Sequence, residues 1–225
     1  MRTVGQWLKT SKSWSKSSTE NSVETILSNR RSCRSFLDRK LPEGLIIDLI
    51  DKARRTPTAG NSQGVEFLLL DEKSAVEDFW DVSFSGKDKR SFSFQGLLTA
   101  PALVIPFGVP SRYVDRYKEV DKNHTNLGKG KEEWQVPYWL TDAAFATMAL
   151  QLLAIENQLE TCFIGLFDRE ERIKENFSIP QSYEALGVLI VGYPDTQKSA
   201  DGVSQSRRRR PLSEVLHLGS WQSPL

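Results

Sequence analysis

The segment VPYWLTDAAFATMALQLLAIENQLE, residues 136–160, limits the fold of this chain more than any other stretch. Trp139, Leu140, Phe145, Met148, Leu152, Leu153 and Ile155 spread apolar side chains around nearly the whole circumference of a helix. Such a helix needs cover on most sides, so it is either the central helix of a domain core or part of a subunit interface. Pro137 suits its first turn, where a missing N–H costs nothing. The Trp and Met residues are read as packing rather than as a cofactor box. The charge-free run from Ala143 to Ile155 is 13 residues, whereas a membrane span needs about 18 or more. With no signal-peptide core at the N-terminus, the expectation is a soluble, cytoplasmic protein without a membrane partner.

The other periodic segments surround this helix. Val23, Ile26, Leu27 and Arg30 fall at i, i+3, i+4 and i+7 and predict a helix over residues 21–30. Asn21 with Glu24 resembles a capping box at its start. Leu45, Ile46, Leu49, Ile50 and Ala53 predict a second helix over residues 42–55. VEFLLLD, PALVIPFGV, TCFIGLFD and ALGVLIVGY read as buried strands, and residues 169–177 as a further helix. The order is not a regular βαβ alternation. It predicts an α+β fold, a mixed and mainly antiparallel sheet flanked by helices, with the long helix in the core or at a dimer interface. Residues 1–20 read as a flexible arm with Trp7, Leu8 and Trp14 as anchors, and residues 21–221 as a single domain. Residues 108–136 are a polar excursion, a possible lid with a short helix near residues 113–120.

Composition excludes several functions. The 225 residues carry a net charge of +1, with 39% hydrophobic and 26% charged residues. That supports a packed core and gives no whole-chain signal for nucleic acid. Cys33 and Cys162 cannot build a disulfide framework, and His124 and His217 lie far apart, so no zinc or other metal site is expected. No G-x-G-x-x-G follows the first strand, and no G-x-x-x-x-G-K-[ST] occurs.

Four stretches carry chemistry. NRRSCRSF places Arg30, Arg31 and Arg34 around Ser32. Arginine's planar fork suits a phosphate, although cations also suit a helix C-terminus. TPTAGNSQG carries Thr58, Asn61 and Gln63, whose amides can read a heterocycle edge or simply build a turn. IGLF puts Gly165 at a strand end, between Ile164 and Leu166, where backbone N–H groups can approach a ligand. SRRRRP, with Arg207 and Arg209, is a basic tail, a nucleic-acid patch or the completion of a phosphate clamp.

Together and in this order, the four stretches resemble the FMN-dependent nitroreductase family. RRSCRSF is similar to its opening Arg-Arg-Ser-x-Arg-x-Phe, TPTAGNSQG to its Pro-Ser-x-x-Asn-x-Gln-Pro loop, ETCFIGLFD to its flavin-facing strand, and RRRRPLSEVLH to its closing Arg-x-Pro-Leu-x-Glu. The resemblance implies an NAD(P)H-dependent oxidoreductase and a homodimer with two FMN sites at the interface. Arg30 and Ser32, within the Arg30–Arg31–Ser32 signature, would hold the phosphate end, with Arg207 and Arg209 closing that clamp. Arg34 would face the pyrimidine, and Asn61, on the loop with Thr58 and Gln63, the ring edge. Backbone groups of Ile164, Gly165 and Leu166 would face N5. The flavin carries the redox chemistry, so no catalytic side chain is required. Thr58 and Gly64 depart from the pattern's serine and proline.

The resemblance implies that NADH or NADPH donates and that a small molecule such as a nitroaromatic or quinone accepts, by a ping-pong mechanism. Two other readings remain open on the sequence. One is a specialised flavin enzyme on the same fold, for dehalogenation, flavin fragmentation or oxidation of a biosynthetic intermediate, with Tyr113, Tyr117 and Trp134 available to stack on an aromatic substrate. The other is a binding protein, for FMN or nucleic acid, without turnover.

Overall fold

Two strands buried on both faces set the layers. They are β2 (Ala102–Gly108) and β5 (Val188–Gly192), and every residue in them is buried. Their side chains alternate with period two. Leu103, Ile105, Phe107, Val188 and Ile190 enter one core, with Phe79 and Trp80 of helix α3 (Lys73–Ser83) and Ile173 of helix α7 (Glu170–Asn176). Ala102, Val104, Leu189 and Val191 enter the other. There they meet Ile46, Leu49 and Ala53 of helix α2 (Leu45–Ala53) and Leu150 and Ala154 of helix α6 (Tyr138–Glu156). The result is a sheet between two helical layers. The computed structural model describes residues 22–84, 86–198 and 207–221.

The sheet order is β1 (Val65–Leu70), β2, β5, β3 (Glu160–Ile164), and a two-residue strand β4 (Glu184–Ala185) also pairs with β2. Among the described residues each ladder is antiparallel, with Val65 opposite Gly108, Ala102 opposite Val191 and Ile164 opposite Val188. β1 and β3 are therefore opposite edges of the main path. This is the flanked α+β sheet expected from the sequence.

Element boundaries differ in places. Helix α1 runs Val23–Asn29, two residues inside the expected start, and Asn21 lies outside the described residues, as does the arm over residues 1–20. α2 begins at Leu45 because Gly44 takes a left-handed φ of 75°. Two helices, α3 and α4 (Gly86–Ser91), occupy the connection from β1 to β2. Helix α5 is Pro110–Arg116 rather than residues 113–120, and short 3₁₀ turns follow it.

α6 is long and apolar enough, by length and composition, to cross a membrane. It is a core helix here: Trp139, Ala143, Ala146, Leu150 and Ala154 are buried, together with Asp142 and Thr147. Its cover is not complete, because Phe145 remains 51% exposed. Val23 and Leu27 on α1 and Tyr138 on α6 are exposed as well.

One site expectation fails. Tyr113 and Trp134 are not free to stack on a substrate. Both are buried against Trp139 in a third apolar cluster, and Tyr117 packs on the same Trp134 ring at 4.7 Å.

Residues 207–221 belong to a unit separate from Val23–Ala200. Within it, Arg210 donates from Nε to Glu214 Oε2 at 3.0 Å, and His217 stacks on Trp221 at 4.4 Å.

Candidate functional site

The arginine segment begins where α1 ends. Arg30 N still donates to Ile26 O at 2.8 Å, and the chain then becomes extended. Arg31 turns back: its Nη1 donates to Ser28 O at 3.2 Å and to Arg30 O at 2.9 Å, which serves carbonyls at the helix end. The next residues are held by backbone bonds. Cys33 N donates to Thr161 O on β3 at 2.9 Å, Phe36 N to Gly96 O at 3.0 Å, and Leu37 N to Tyr193 O at 2.9 Å. The backbone is fixed, so the side chains of Arg30, Ser32 and Arg34 are left for other uses. All three are half-buried. Arg30 has no side-chain hydrogen bond or ion pair among the described residues. Arg34 donates from Nη1 to Ser32 O at 3.4 Å, and its Cζ lies 5.1 Å from the centre of the Phe94 ring.

Glu160, at the start of β3, is part of this neighbourhood. Its Oε2 is buried without a hydrogen-bond partner. Burial pushes its carboxyl above the ordinary carboxylate value, against the Thr161 backbone and the charge of Arg30, which pull it down. Burial likewise raises the Cys33 and Cys162 thiols, so neither is primed as a nucleophile.

The Thr58–Gly64 loop is built differently. Gly60, Asn61 and Gln63 have φ values of 62°, 57° and 51°, all left-handed. The loop is braced from behind by Asp142, which is 2% exposed. Asp142 Oδ2 accepts from Ala59 N at 2.8 Å and from Tyr113 Oη at 2.7 Å. Burial, then this carboxylate, pushes the Tyr113 hydroxyl far above its ordinary value. Arg116 Nε donates to Gly60 O at 2.8 Å, while its other nitrogens grip Asp121 at 2.7 and 2.8 Å. The Arg116 guanidinium lowers the Asp121 carboxyl to about 2. Gln63 N donates to Thr58 Oγ1 at 3.0 Å. With the backbone so held, the amides of Asn61 and Gln63 are exposed. Asp142 was not singled out from the sequence. Its signal was there: it is the one charged residue between Trp139 and Ile155.

At the end of β3 the ladder closes on the pair Ile164–Val188, so the backbone of Gly165 lies just past it. Leu166 is buried in the core. Phe167 follows with a left-handed φ of 52° and is 84% exposed.

The structure brings some of the sequence-selected residues together and keeps others apart. Arg30, Ser32 and Arg34 flank Cys33, which bonds Thr161 near the start of β3; that strand ends at Ile164, and Gly165 and Leu166 follow it. Thr58, Asn61 and Gln63 precede β1, at the opposite edge. Three inter-strand spacings separate those edges, about 14 Å in all. Arg207 and Arg209 lie in the separate unit, where both are exposed and neither has a hydrogen bond or ion pair among the described residues. No cluster of three or more metal-ligating side chains occurs among the described residues. The donors that are present fit an anionic cofactor with a polar ring edge: an unpaired half-buried guanidinium, a neighbouring hydroxyl, exposed amides and a glycine backbone beyond a ladder end.

Comparison with known proteins gives a consistent picture. The model of the nitroreductase family matches residues 27–193. A provisionally named NADH dehydrogenase/NAD(P)H nitroreductase from Archaeoglobus fulgidus is 25% identical over 179 residues, covering 77% of this chain and 86% of that protein. The FMN-dependent nitroreductase of Clostridium difficile R20291 aligns with a TM-score of 0.61 at 20% identity, over 87% of this chain and 98% of that one. A provisionally named nitroreductase from Exiguobacterium sibiricum 255-15, solved in complex with FMN, aligns with a TM-score of 0.67 at 19% identity, over 88% and 97%.

Proposed function

This chain belongs to the nitroreductase family, and on that premise we propose that it is an FMN-dependent oxidoreductase that uses NADH or NADPH to reduce a small acceptor. The observation that carries the reading is the placement of the Arg30–Arg34 segment beside β3, through the bond from Cys33 N to Thr161 O, with Gly165 just past the end of that strand. One edge thus offers cations for a phosphate and open backbone for a ring. FMN would supply two-electron redox chemistry between the nicotinamide donor and an acceptor such as a nitroaromatic or quinone.

The chain's own residues bind and orient. Arg30 and Ser32 hold the phosphate, whose charge of nearly two the unpaired guanidinium offsets through charge-assisted bonds. Arg34 places a fixed cation by the pyrimidine, where negative charge grows on reduction. Backbone groups of Ile164, Gly165 and Leu166 face N5. Arg31 belongs to the same signature, but its guanidinium is turned back onto Ser28 O and Arg30 O at the end of α1. If donor and acceptor share one exposed ring face, turnover would be ping-pong.

The opposite-edge placement supports a homodimer. Arg34 and Asn61 both address the ring in this reading, yet they flank a four-strand-wide path. A single ring meets both when Thr58, Asn61 and Gln63 come from a second copy. The exposed Val23, Leu27, Tyr138 and Phe145 on α1 and α6 give that copy an apolar surface. Residues 108–136 would then border the site as a lid.

The test starts with colour. Purified protein should be yellow, or become so with FMN, and stopped-flow mixing with NADH and NADPH should bleach the bound flavin. Protein that takes up no FMN would end this reading.

A further inference from the structure

Arg34 is held on its side-chain end by very little hydrogen bonding. Its bond to Ser32 O, at 3.4 Å, is long. The closer restraint is the Phe94 ring, 5.1 Å from Cζ. That ring is anchored in turn. It meets Phe92 edge-on at 6.0 Å, Phe92 lies 4.9 Å from Phe84, and Phe84 stacks on the buried Trp80 at 5.8 Å. The turn that follows, Gln95–Leu97, is pressed against the arginine segment. A Cβ on Gly96 would lie 2.6 Å from Ser35 Cα and 2.7 Å from Arg34 O, so only glycine permits this approach. Gly96 O accepts from Phe36 N, and Thr99 Oγ1 donates to Phe36 O at 2.7 Å. Gln95 Nε2 closes the turn on itself by donating to Phe92 O at 2.8 Å.

We propose that Phe94 is a positioning residue for Arg34: it fixes the guanidinium where the pyrimidine of FMN would meet it, and so helps to set the midpoint potential of the bound cofactor. This rests on the reading above. A guanidinium spread over rotamers and fully hydrated stabilises added charge less than one held at a fixed place over a ring. Phe94 itself touches no reacting atom, so its effect passes through Arg34.

The experiment uses FMN-loaded protein with Phe94→Met, which keeps volume but has no ring face, and Phe94→Tyr, which keeps the face. Midpoint potentials are read by dye equilibration and FMN affinity by fluorescence titration. Phe94→Met should weaken binding of reduced relative to oxidised FMN about fivefold, a shift of about −20 mV for a two-electron couple. Phe94→Tyr should hold the wild-type potential. In an Arg34→Ala background, Phe94→Met should add no shift. A wild-type potential for Phe94→Met, or an undiminished shift without Arg34, would overturn the proposal while leaving the flavoenzyme reading intact. Wild-type protein that binds no FMN would remove both.

Discussion

The arginine segment and the Thr58–Gly64 loop meet the same need by opposite means. Along residues 30–37 the backbone is fixed by neighbouring backbone, through Cys33, Phe36 and Leu37. In the loop it is fixed by side chains, through the buried Asp142 and Tyr113 and the half-buried Arg116. Their acids differ in the same way. Asp142 has its near-total burial offset by two donors, whereas Glu160 has an oxygen buried with none. The lesson is that a binding group's freedom depends on where its backbone is anchored. A segment held by main-chain bonds tolerates side-chain change; a loop held by one carboxylate does not.

The largest test of that contrast is Asp142→Ala. It leaves Ala59 N and Tyr113 Oη without their acceptor, at about 1–3 kcal/mol for each buried group. Urea unfolding should show a loss of about 3 kcal/mol, and equal stability in the variant would deny the brace. Arg30→Ala should behave in the reverse manner. Its guanidinium makes no hydrogen bond or ion pair among the described residues and acts on Glu160 only through charge, so the melting temperature should hardly move. FMN affinity should fall about tenfold to a hundredfold, the worth of a charge-assisted bond. Affinity equal to wild type would remove Arg30 from the clamp.

This contrast also explains what was legible in the sequence. The sheet strands were readable because β2 and β5 are unbroken apolar runs, and α6 because its apolar residues fill the circumference. The ligand-facing stretches were readable because arginine, amide and glycine types carry recognisable chemistry in order. Their supports were not. Asp142, Phe94 and Glu160 act through contacts at long sequence separation, 83 residues in the case of Ala59 and Asp142. No periodicity encodes such a pairing. Helix ends shifted for a local reason: Gly44 in a left-handed conformation delays α2 past Pro42. The aromatic residues of the excursion were misread because composition cannot say whether rings face a ligand or one another.

A smaller effect separates the two regions at a glycine. Gly60 has a φ of 62°, and a Cβ there would come within 2.8 Å of the Tyr117 ring. Gly60→Ala therefore combines a left-handed alanine with a displaced tyrosine, and should cost about 1–2 kcal/mol. The loss should appear in urea unfolding, with FMN affinity falling through the displaced Asn61 amide. No change in stability would mean that the loop relaxes freely, and that the side-chain brace is weaker than its distances imply.

The smallest effect tests the unpaired acid. Burial raises the folded-state pKa of Glu160 above its unfolded value, so the folded state binds this proton more tightly. That contribution is complete below the unfolded pKa and is lost as pH rises through the folded one. Glu160→Gln should thus leave stability nearly unchanged at pH 4, where the carboxyl is protonated, and raise it modestly at pH 7. Urea unfolding at the two pH values makes the comparison. FMN affinity at pH 7 should also rise slightly, because a negative charge near Arg30 opposes a phosphate there. A fall in stability at pH 7 would mean that attraction to Arg30 outweighs burial. In that case the arginine segment, like the loop, would depend on a carboxylate for its support.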